Sequence, residues 1–463
     1  MVRSVISMAT LGVVATLAAG STEHPLQNHD PVGVVRVEQQ VVPVHNRARA
    51  LDLLFVVDNS SSMAEGQAAL RAIVASFVDV LTSFEGGLPN IRIGVISTDV
   101  GTGGVTIGRC SPAAKPRGDD GRLLTNGCAG LTAPFIEDIL RADGSRRRNY
   151  AGDLAGVLGC MVSLGVDGCD FPQPLESLYR ALQPGNNPGF LRDDANLVVI
   201  IASDGDDCSA KGPELFRDGT ASTTSVLGPR TAFRCFEHGV TCADDPEPRA
   251  FGTKTGCVPT VGSRYLRDVQ TYAAFLKRLK ANPRKISVAG IIGPVDAART
   301  VSVIPDPDDA TRAALGPSCR SAAGQATPAV RLQAFLTQFP DRHGITSICD
   351  ADLTDALTVL ETRQPGWVVN PCLESPLADQ NPDLPGLQHE CSVTDVTSPN
   401  GPNRTETVIP ACARAGDTPP CWRFISDPVR CATASDNRAI EVDRGDAIVP
   451  DDTVLQVQCV VEP

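Results

Sequence analysis

The sequence predicts an α/β protein in which a doubly wound, mostly parallel sheet is flanked by helices, with disulfide-pinned insertions and a small Cys-rich β region at the C-terminus. Continuous apolar segments of strand length recur along the chain, and amphipathic helical patterns alternate with them. Sixteen cysteines fall in the stretches between and after these segments. Strands that alternate with helices join through right-handed crossovers into an open sheet, which binds ligands at the carboxyl ends of its strands.

The first strand and the helix after it set the pattern. Residues 53–57 are all apolar and lead directly to Asp58, as in a strand buried on both faces. Residues 64–84 place large apolar side chains three and four positions apart, as on the buried face of an amphipathic helix. Later segments repeat both patterns, with strands predicted at 91–96, 197–201 and 286–292 and helices at 175–182, 269–279 and 353–360.

The α/β pattern extends over residues 49–365. Stretches rich in Gly, Pro and Cys interrupt it, and we interpret them as insertions held by disulfides rather than as domains. These insertions lie at about 101–130, 206–262 and 293–345.

The composition changes on both sides of this region. Residues 21–48 mix Pro, His, Gln, Asn and Val without periodicity, which is typical of an extended leader or linker. Residues 366–463 are rich in Pro, Asn, Asp and Cys and contain an alternating apolar pattern at 453–461. That pattern predicts a β-strand in a small Cys-rich β domain or appendage.

Residues 1–20 have the organisation of a signal peptide. Arg3 supplies the positive start, residues 5–19 are mainly apolar, and small residues precede a cleavage position before Ser21. A buried N-terminal helix is the alternative. Ser21 stands where a lipoprotein signal needs a cysteine, and no later segment reaches the about eighteen apolar residues of a membrane-spanning helix. We therefore expect a secreted, periplasmic or cell-surface protein.

The cysteines indicate disulfides in an oxidising compartment. Their number is even, they are spread from Cys110 to Cys459, and no C-x-x-C metal-binding spacing occurs. Sequence alone does not fix the connectivity. Neighbours in sequence are candidate partners, namely Cys110/Cys128, Cys160/Cys169, Cys242/Cys257, Cys412/Cys421 and Cys431/Cys459.

The charge argues against a nucleic-acid partner. The net charge is -13, and the longest basic cluster is the triplet at residues 146–148. Binding to phosphates requires a basic surface. An acidic surface is compatible with metal cations, although acidic surfaces also serve solubility.

The loop after the first strand carries the principal motif, D-x-S-x-S, formed by Asp58, Ser60 and Ser62. A carboxylate and two hydroxyls on one strand-to-helix turn present their oxygens towards the same point, as a small hard cation requires. Capping of the helix by Ser60 or Ser62 is the alternative, but capping explains only one hydroxyl. The spacing therefore favours a cation site.

A second acidic loop follows the strand at 197–201. It contains Ser203-Asp204-Gly205 and should lie beside the first loop at the same edge of the sheet. Asp204 could then hold a metal directly or through water. By itself this tripeptide is a common turn, so the prediction depends on the pairing of the two loops.

Together the segments 55–63 and 201–205 resemble the metal-ion-dependent adhesion site of von Willebrand factor type A domains. The resemblance covers about residues 49–365. It implies a Rossmann-like sheet that binds Mg²⁺ or Mn²⁺, with Asp58, Ser60 and Ser62 as ligands and Asp204 as a nearby acid. The Asp-Asp-Cys-Ser sequence at 206–209 is most similar to secreted or lipid-anchored bacterial proteins with this domain.

The resemblance fails at one position. The family has a threonine on a loop between the two motifs, and the corresponding residues 168–175 contain neither Thr nor Ser. Asp170 is a candidate replacement as metal ligand, or else a solvent-facing turn residue. Either the metal binds more weakly than usual, or an added carboxylate strengthens cation binding and disfavours an acidic partner.

The sequence does not favour an enzyme. Ser60 stands where an aspartate nucleophile of the haloacid dehalogenase type needs its second Asp, and the common hydrolase and P-loop motifs are absent. We expect an exported adhesion or protein-interaction module that binds Mg²⁺ (or Mn²⁺ or Ca²⁺) and, through it, a carboxylate of a protein or surface ligand. A structural envelope protein with a degenerate metal site is the alternative.

Overall fold

A computed structural model gives the fold as two compact units, one of residues 45–369 and one of residues 1–44 and 370–463. The predicted signal peptide lies outside the described residues, as does most of the predicted helix at 353–360. The described residues are 36–43, 50–83, 87–141, 144–193, 195–243, 247–322, 324–340, 342–353, 356, 372–381, 383, 388–399, 401–412, 419–426, 431, 434, 436–443, 450 and 453–462.

Strands are more numerous than helices along the chain. The helices are α1 (Ala64–Ala72), α2 (Val74–Ser83), α3 (Leu154–Val162), α4 (Pro174–Ala181), α5 (Phe233–Gly239), α6 (Val269–Lys277) and α7 (Val330–Leu336). The strands are β1 (Arg36–Pro43), β2 (Ala50–Val57), β3 (Asn90–Ser97), β4 (Ile136–Leu140), β5 (Arg146–Arg148), β6 (Asn196–Ser203), β7 (Val240–Thr241), β8 (Gly252–Lys254), β9 (Val258–Pro259), β10 (Ile286–Ile292), β11 (Val301–Pro305), β12 (Ala313–Leu315), β13 (Cys319–Ser321), β14 (Gly324–Ala326), β15 (His343–Ser347), β16 (Cys391–Thr397), β17 (Thr405–Ile409), β18 (Cys421–Ser426), β19 (Arg438–Asp443) and β20 (Val454–Val461).

The larger unit is built on a seven-stranded mixed sheet in the order β15-β10-β6-β2-β3-β4-β5. The strands from β15 to β3 run parallel, whereas β4 and β5 pair antiparallel at one edge. The predicted apolar strands are β2, β3, β6 and β10 of this sheet. The helix predicted at 64–84 divides into α1 and α2 at Ile73, which ends the first helix.

The predicted fold class is wrong for this chain. Strands make up 30% of the structure and helices only 18%. The central sheet is mixed and several small antiparallel sheets accompany it, in place of the expected helix-flanked, Rossmann-like parallel sheet. The physical reason lies in the insertions and the C-terminal region. Their Gly and Pro residues break helices, and their disulfides stabilise short segments, so these stretches form hairpins that pair antiparallel.

Two apolar clusters form the core around the seven-stranded sheet, and β2 contributes to both. Leu53 and Phe55 belong to one cluster, whereas Leu54 and Val56 belong to the other. All four side chains are almost completely buried. A strand buried on both faces holds its carboxyl end, and therefore Asp58, in a fixed position.

The smaller unit is an antiparallel sheet in the order β1-β20-β16-β17, accompanied by the hairpin β18-β19. The alternating pattern at 453–461 corresponds to β20. Residues 36–43, within the predicted leader, form β1 and pair with β20, with Arg36 opposite Val461. Sequence reasoning missed this strand because its partner is almost the whole chain length away.

Eight disulfides confirm the prediction that the cysteines are oxidised. Only two of the suggested partners are correct, Cys242–Cys257 and Cys412–Cys421. Proximity in sequence is a poor guide to disulfide pairing. A disulfide needs two Cα atoms within about 7 Å, and the fold decides which cysteines come that close. The other pairs are Cys110–Cys169, Cys128–Cys160, Cys208–Cys235, Cys319–Cys349, Cys372–Cys431 and Cys391–Cys459.

Eight disulfides are typical of a protein from an oxidising, extracellular environment. Among the described residues, no helix has the length and apolar character to cross a membrane.

Candidate metal centre

The strand register brings three polar residues together at the carboxyl ends of β3, β2 and β6. Val57 pairs with Ser97 on one side and with Ala202 on the other. The next residues in each strand are Thr98, Asp58 and Ser203, and they are therefore neighbours at this edge. The Asp58 amide also donates a 2.9 Å hydrogen bond to the Ala202 carbonyl, which extends the pairing into the loop.

Asp58 is completely buried at this edge and is held by hydrogen bonds to both carboxylate oxygens. Its Oδ1 accepts from the Ser60 amide at 2.9 Å and from the Thr98 hydroxyl at 3.2 Å. Its Oδ2 accepts from the Ser203 hydroxyl at 2.5 Å. Burial raises the pKa of Asp58 above its ordinary value, and the bonds from Ser203 and Ser60 oppose that shift.

Asp204 lies close enough to Asp58 for the two charges to interact. Burial, followed by the charge of Asp58, raises the pKa of Asp204 to about 7, and a hydrogen bond from Ser62 opposes the shift. The Asp204 carbonyl accepts a 2.9 Å hydrogen bond from the Thr327 amide, which fixes the loop. Ionisation of both carboxylates at the same time is therefore disfavoured at this edge.

Neither Asp58 nor Asp204 has a basic partner among the described residues. Three other buried carboxylates of the same unit do have one, as expected for charges removed from water. They are Asp52, which pairs with Arg192 at 2.8 Å, Asp138, with Arg146 at 2.5 Å, and Asp207, with Arg331 at 2.9 Å. The pair at the strand ends lacks such a counter-charge, and a cation would supply it.

The serines of the D-x-S-x-S loop contact these two acids. The Ser60 side chain is buried and hydrogen-bonds to Asp58. Ser62 is exposed and hydrogen-bonds to Asp204. Neither serine caps α1, whose N-cap residue is Met63 and which has no side-chain cap. The structure therefore brings Asp58, Ser60, Ser62 and Asp204 to one place, as the sequence predicts.

Asp170 reaches the same loop but contacts a different residue. Its Oδ1 accepts from the Ser61 amide at 3.0 Å and from the Ser61 hydroxyl at 2.7 Å. The side chain is exposed, and the preceding Cys169 forms a disulfide with Cys110. Asp170 thus braces the loop from outside.

A cavity of about 410 Å³ opens over these residues. Ser60, Ser61, Ser62, Asp170 and Asp204 line its polar side. The insertions supply apolar lining residues, with Phe233 and Phe236 of α5, Ala313, Ala314 and Leu315 of β12, and Ala326 of β14 among them.

The chain matches no known protein-family model, and no curated protein is significantly similar to it. Interpretation of the site therefore depends on its chemistry.

Within the described parts of the chain, no three His, Cys, Asp or Glu side chains form a group that could hold a metal. The residues at this edge offer two carboxylates, and any further protein ligands would be hydroxyls. Such an all-oxygen set is compatible with Mg²⁺, Mn²⁺ or Ca²⁺ and unsuited to softer metals. The donors therefore fit a hard divalent cation.

Sequence reasoning missed Thr98 and Ser203 as contacts of Asp58. Each lies two residues after a predicted strand, and a polar residue at that position could have indicated a contact with Asp58.

The acidic residues after Asp204 have structural roles. Asp206 accepts hydrogen bonds from the Arg331 and Leu332 amides at the start of α7, and burial raises its pKa to about 6. Asp207 accepts from the Leu175 amide at the start of α4 and pairs with the buried Arg331. In this chain, therefore, Asp206 and Asp207 of the Asp-Asp-Cys-Ser sequence anchor the starts of α7 and α4.

Proposed function

We propose that this protein is an exported adhesion or protein-interaction module whose site resembles the metal-ion-dependent adhesion site of von Willebrand factor type A domains. A divalent cation, Mg²⁺ or else Mn²⁺ or Ca²⁺, would lie between the loops that follow β2 and β6. Asp58, Ser60 and Ser62 are the proposed ligands, with Asp204 bound directly or through water.

One observation carries the proposal. Asp58 and Asp204 are adjacent, largely buried and, among the described residues, without a basic partner, whereas the buried Asp52 and Asp207 of this unit pair with arginine. An uncompensated pair of carboxylates is costly in a low-dielectric environment. A bound cation would remove that cost, because it is the counter-charge that the protein does not supply.

The proposed ligand is a carboxylate from a protein or surface partner. A cation that keeps an open coordination position can accept an acidic side chain. The 410 Å³ cavity lies over the proposed metal position and is bounded by apolar residues such as Phe236 and Leu315. These walls would favour an acidic residue that carries apolar neighbours, because apolar contact with the walls releases water.

A structural role with a degenerate site is the second candidate, and the loop at Asp170 favours it. This loop offers a carboxylate where the family has a threonine, and that carboxylate bonds to Ser61. A third acid beside the site would repel an incoming acidic ligand. In that case the cation would stabilise the fold without recruiting a partner.

Calorimetric titration of the full chain with Mn²⁺ and Mg²⁺ at pH 7.5 tests the proposal. We expect one Mn²⁺ per chain with a dissociation constant below about 1 mM, corresponding to roughly 4 kcal/mol of binding free energy. Asp58→Asn should abolish binding, because it removes a charge and keeps the shape of the side chain. Asp167→Asn is the matched control, since the Asp167 side chain is 98% exposed in a neighbouring loop.

The second arm adds acetate or a Gly-Asp-Gly peptide to the metal-loaded protein. Binding that requires Mn²⁺ supports the adhesion module, whereas metal binding without any carboxylate binding supports the structural alternative. A wild-type protein that gives neither heat nor thermal stabilisation with either cation rules out both forms of the proposal.

A further inference from the structure

A second cavity in the larger unit, of about 350 Å³, shares no lining residue with the proposed metal centre. Four basic side chains line it, those of Arg117, Arg180, Lys211 and Arg267. Glu176 is the acidic residue of the lining. Such a concentration of positive charge is unexpected in a chain whose net charge is -13.

The acids around this cavity do not neutralise it. Asp120 lies behind the lining and pairs with Arg117 at 3.0 Å and with Arg180 at 2.7 Å. Glu176 pairs with Arg180 at 3.0 Å and lies 3.3 Å from Arg267. An exposed carboxylate, Glu214, lies near the lining residue Gly212. Four positive charges against these three carboxylates leave a charge of +1.

Arg267 is held at the cavity by its backbone and by one ion pair. Its Nε lies 3.3 Å from a Glu176 carboxylate oxygen, and its side chain is 43% exposed. Its amide donates a 3.0 Å bond to the Ser209 carbonyl, which fixes the backbone there. A guanidinium carries five N–H donors, so its exposed part can meet an anion in the cavity.

The rest of the cavity is preorganised. Arg180 is held on α4 by its two ion pairs. Gly101, Gly103 and Gly104 also line the cavity, and the space beside Gly104 is open, so a ligand can approach the main chain closely there. Gly101 has a φ of +69° and is fixed by hydrogen bonds to Asp99 and Gln173. Fixed donors lose little entropy when a ligand binds.

We propose that this cavity binds a phosphate or sulfate group, with Arg267 and Lys211 as the principal contacts and Arg180 and Arg117 completing the positive field. Arginine presents a planar fork of donors that matches tetrahedral oxyanions, and the excess positive charge attracts an anion. The free ion and an ester carried on a larger molecule offer the same chemistry.

Calorimetry on the full chain in metal-free buffer tests the inference at constant ionic strength. The probes are inorganic phosphate, inorganic sulfate, methyl phosphate and methyl sulfate, with acetate and chloride as comparisons. We expect the divalent ions to bind with a dissociation constant below about 1 mM and to raise the Tm, whereas acetate and chloride do neither. If the methyl esters bind with the same affinity as the free ions, the ligand is a phosphate or sulfate ester carried on a larger molecule.

Variants locate the binding. Arg267→Gln should weaken phosphate binding at least about tenfold, as expected for the loss of a hydrogen bond to a charged group. Lys211→Gln, at an exposed position, should weaken it severalfold and provides the test if the first variant does not fold. Arg141→Gln, at an exposed arginine outside the cavity, is the matched control.

Unchanged affinity in both cavity variants would overturn the inference, as would a wild-type protein that responds to phosphate no more than to chloride. Asp58→Asn should bind phosphate normally. Failure of the metal proposal is therefore distinguishable from failure of this one.

Discussion

The Ser203 hydroxyl donates a 2.5 Å hydrogen bond to the Asp58 carboxylate, joining two loops that lie 145 residues apart in the sequence. Ser203 also accepts a 3.2 Å hydrogen bond from the Gly205 amide, which fixes the turn that carries Asp204. The two acidic motifs therefore form one unit, in which the position of Asp204 depends on the anchoring of Asp58.

Removal of this anchor should destabilise the protein. In Ser203→Ala the buried Asp58 loses one hydrogen bond, at an expected cost of about 1–3 kcal/mol in the free energy of unfolding. Urea denaturation of the metal-free protein measures the change. Ser83→Ala, at an exposed serine ending α2, should change stability by less than about 0.5 kcal/mol. Equal effects of the two substitutions would contradict the role assigned to Ser203.

The metal-free protein should carry a pH dependence due to Asp204. Its pKa is about 7 in the folded protein, against about 3.9 in an unfolded chain. Between these values the folded state retains a proton that the unfolded state has released, so stability falls as the pH rises. The contribution is fully present below about pH 4 and is lost as the pH rises through about 7.

Asp204→Asn isolates this contribution from those of the other carboxylates. The difference in unfolding free energy between variant and wild type should change steadily from pH 4.5 to 7.5, with the variant gaining relative stability at the higher pH. Added Mn²⁺ should stabilise the wild type and leave the variant nearly unchanged. Parallel pH profiles for the two proteins would show that Asp204 titrates normally.

Substitution of Asp170 should have a small effect on metal affinity. It accepts hydrogen bonds from Ser61, and its side chain is exposed, so Asp170→Asn should reduce Mn²⁺ affinity by less than about tenfold. Calorimetric titration of Asp170→Asn and Asp58→Asn with Mn²⁺ measures the loss of affinity in each variant. An equal loss in the two variants would instead make Asp170 a direct metal ligand.

The buried pair of Arg331 and Asp207 should be essential for stability. Both side chains are fully buried, and Asp207 also caps α4 through the Leu175 amide. Arg331→Met leaves a buried carboxylate without its partner, at an expected cost of about 3–5 kcal/mol. The double variant Arg331→Met/Asp207→Asn should recover part of this loss in chemical denaturation. A double variant that is less stable than the single one by an additive amount would contradict the pairing.

The Cys110–Cys169 disulfide should stabilise the protein and the loop at Asp170. It closes a loop of 59 residues, and the loss of such a cross-link costs about 4 kcal/mol by the chain-entropy relation. Cys110→Ser/Cys169→Ser should therefore lower the Tm. The double variant Cys412→Ser/Cys421→Ser, which opens a loop of only 9 residues in the other unit, should cost less. A larger loss of stability in Cys412→Ser/Cys421→Ser than in Cys110→Ser/Cys169→Ser would contradict the chain-entropy relation for this protein.

Much of the local structure could be predicted from the sequence. The runs at 53–57 in β2 and 197–201 in β6 lack polar residues because both faces of these strands are buried. The fold class was wrong because short antiparallel hairpins leave a weaker periodic signal than long helices, and the insertions contain many of them. The strand β1 had no local signal that separated it from a linker.

The sequence by itself determined the local chemistry: strands that end in Asp58 and Ser203, hydroxyls spaced around the first acid, and cysteines in a pattern typical of disulfides. Only the tertiary structure decided which of these groups meet. Strand register placed Thr98 and Ser203 beside Asp58. The fold gave arginines to Asp52 and Asp207, whereas Asp58 and Asp204 have none in the part of the chain that the structure describes. Side-chain periodicity reports burial over a few residues, whereas charge compensation and disulfide pairing depend on distances between segments that are remote in the chain.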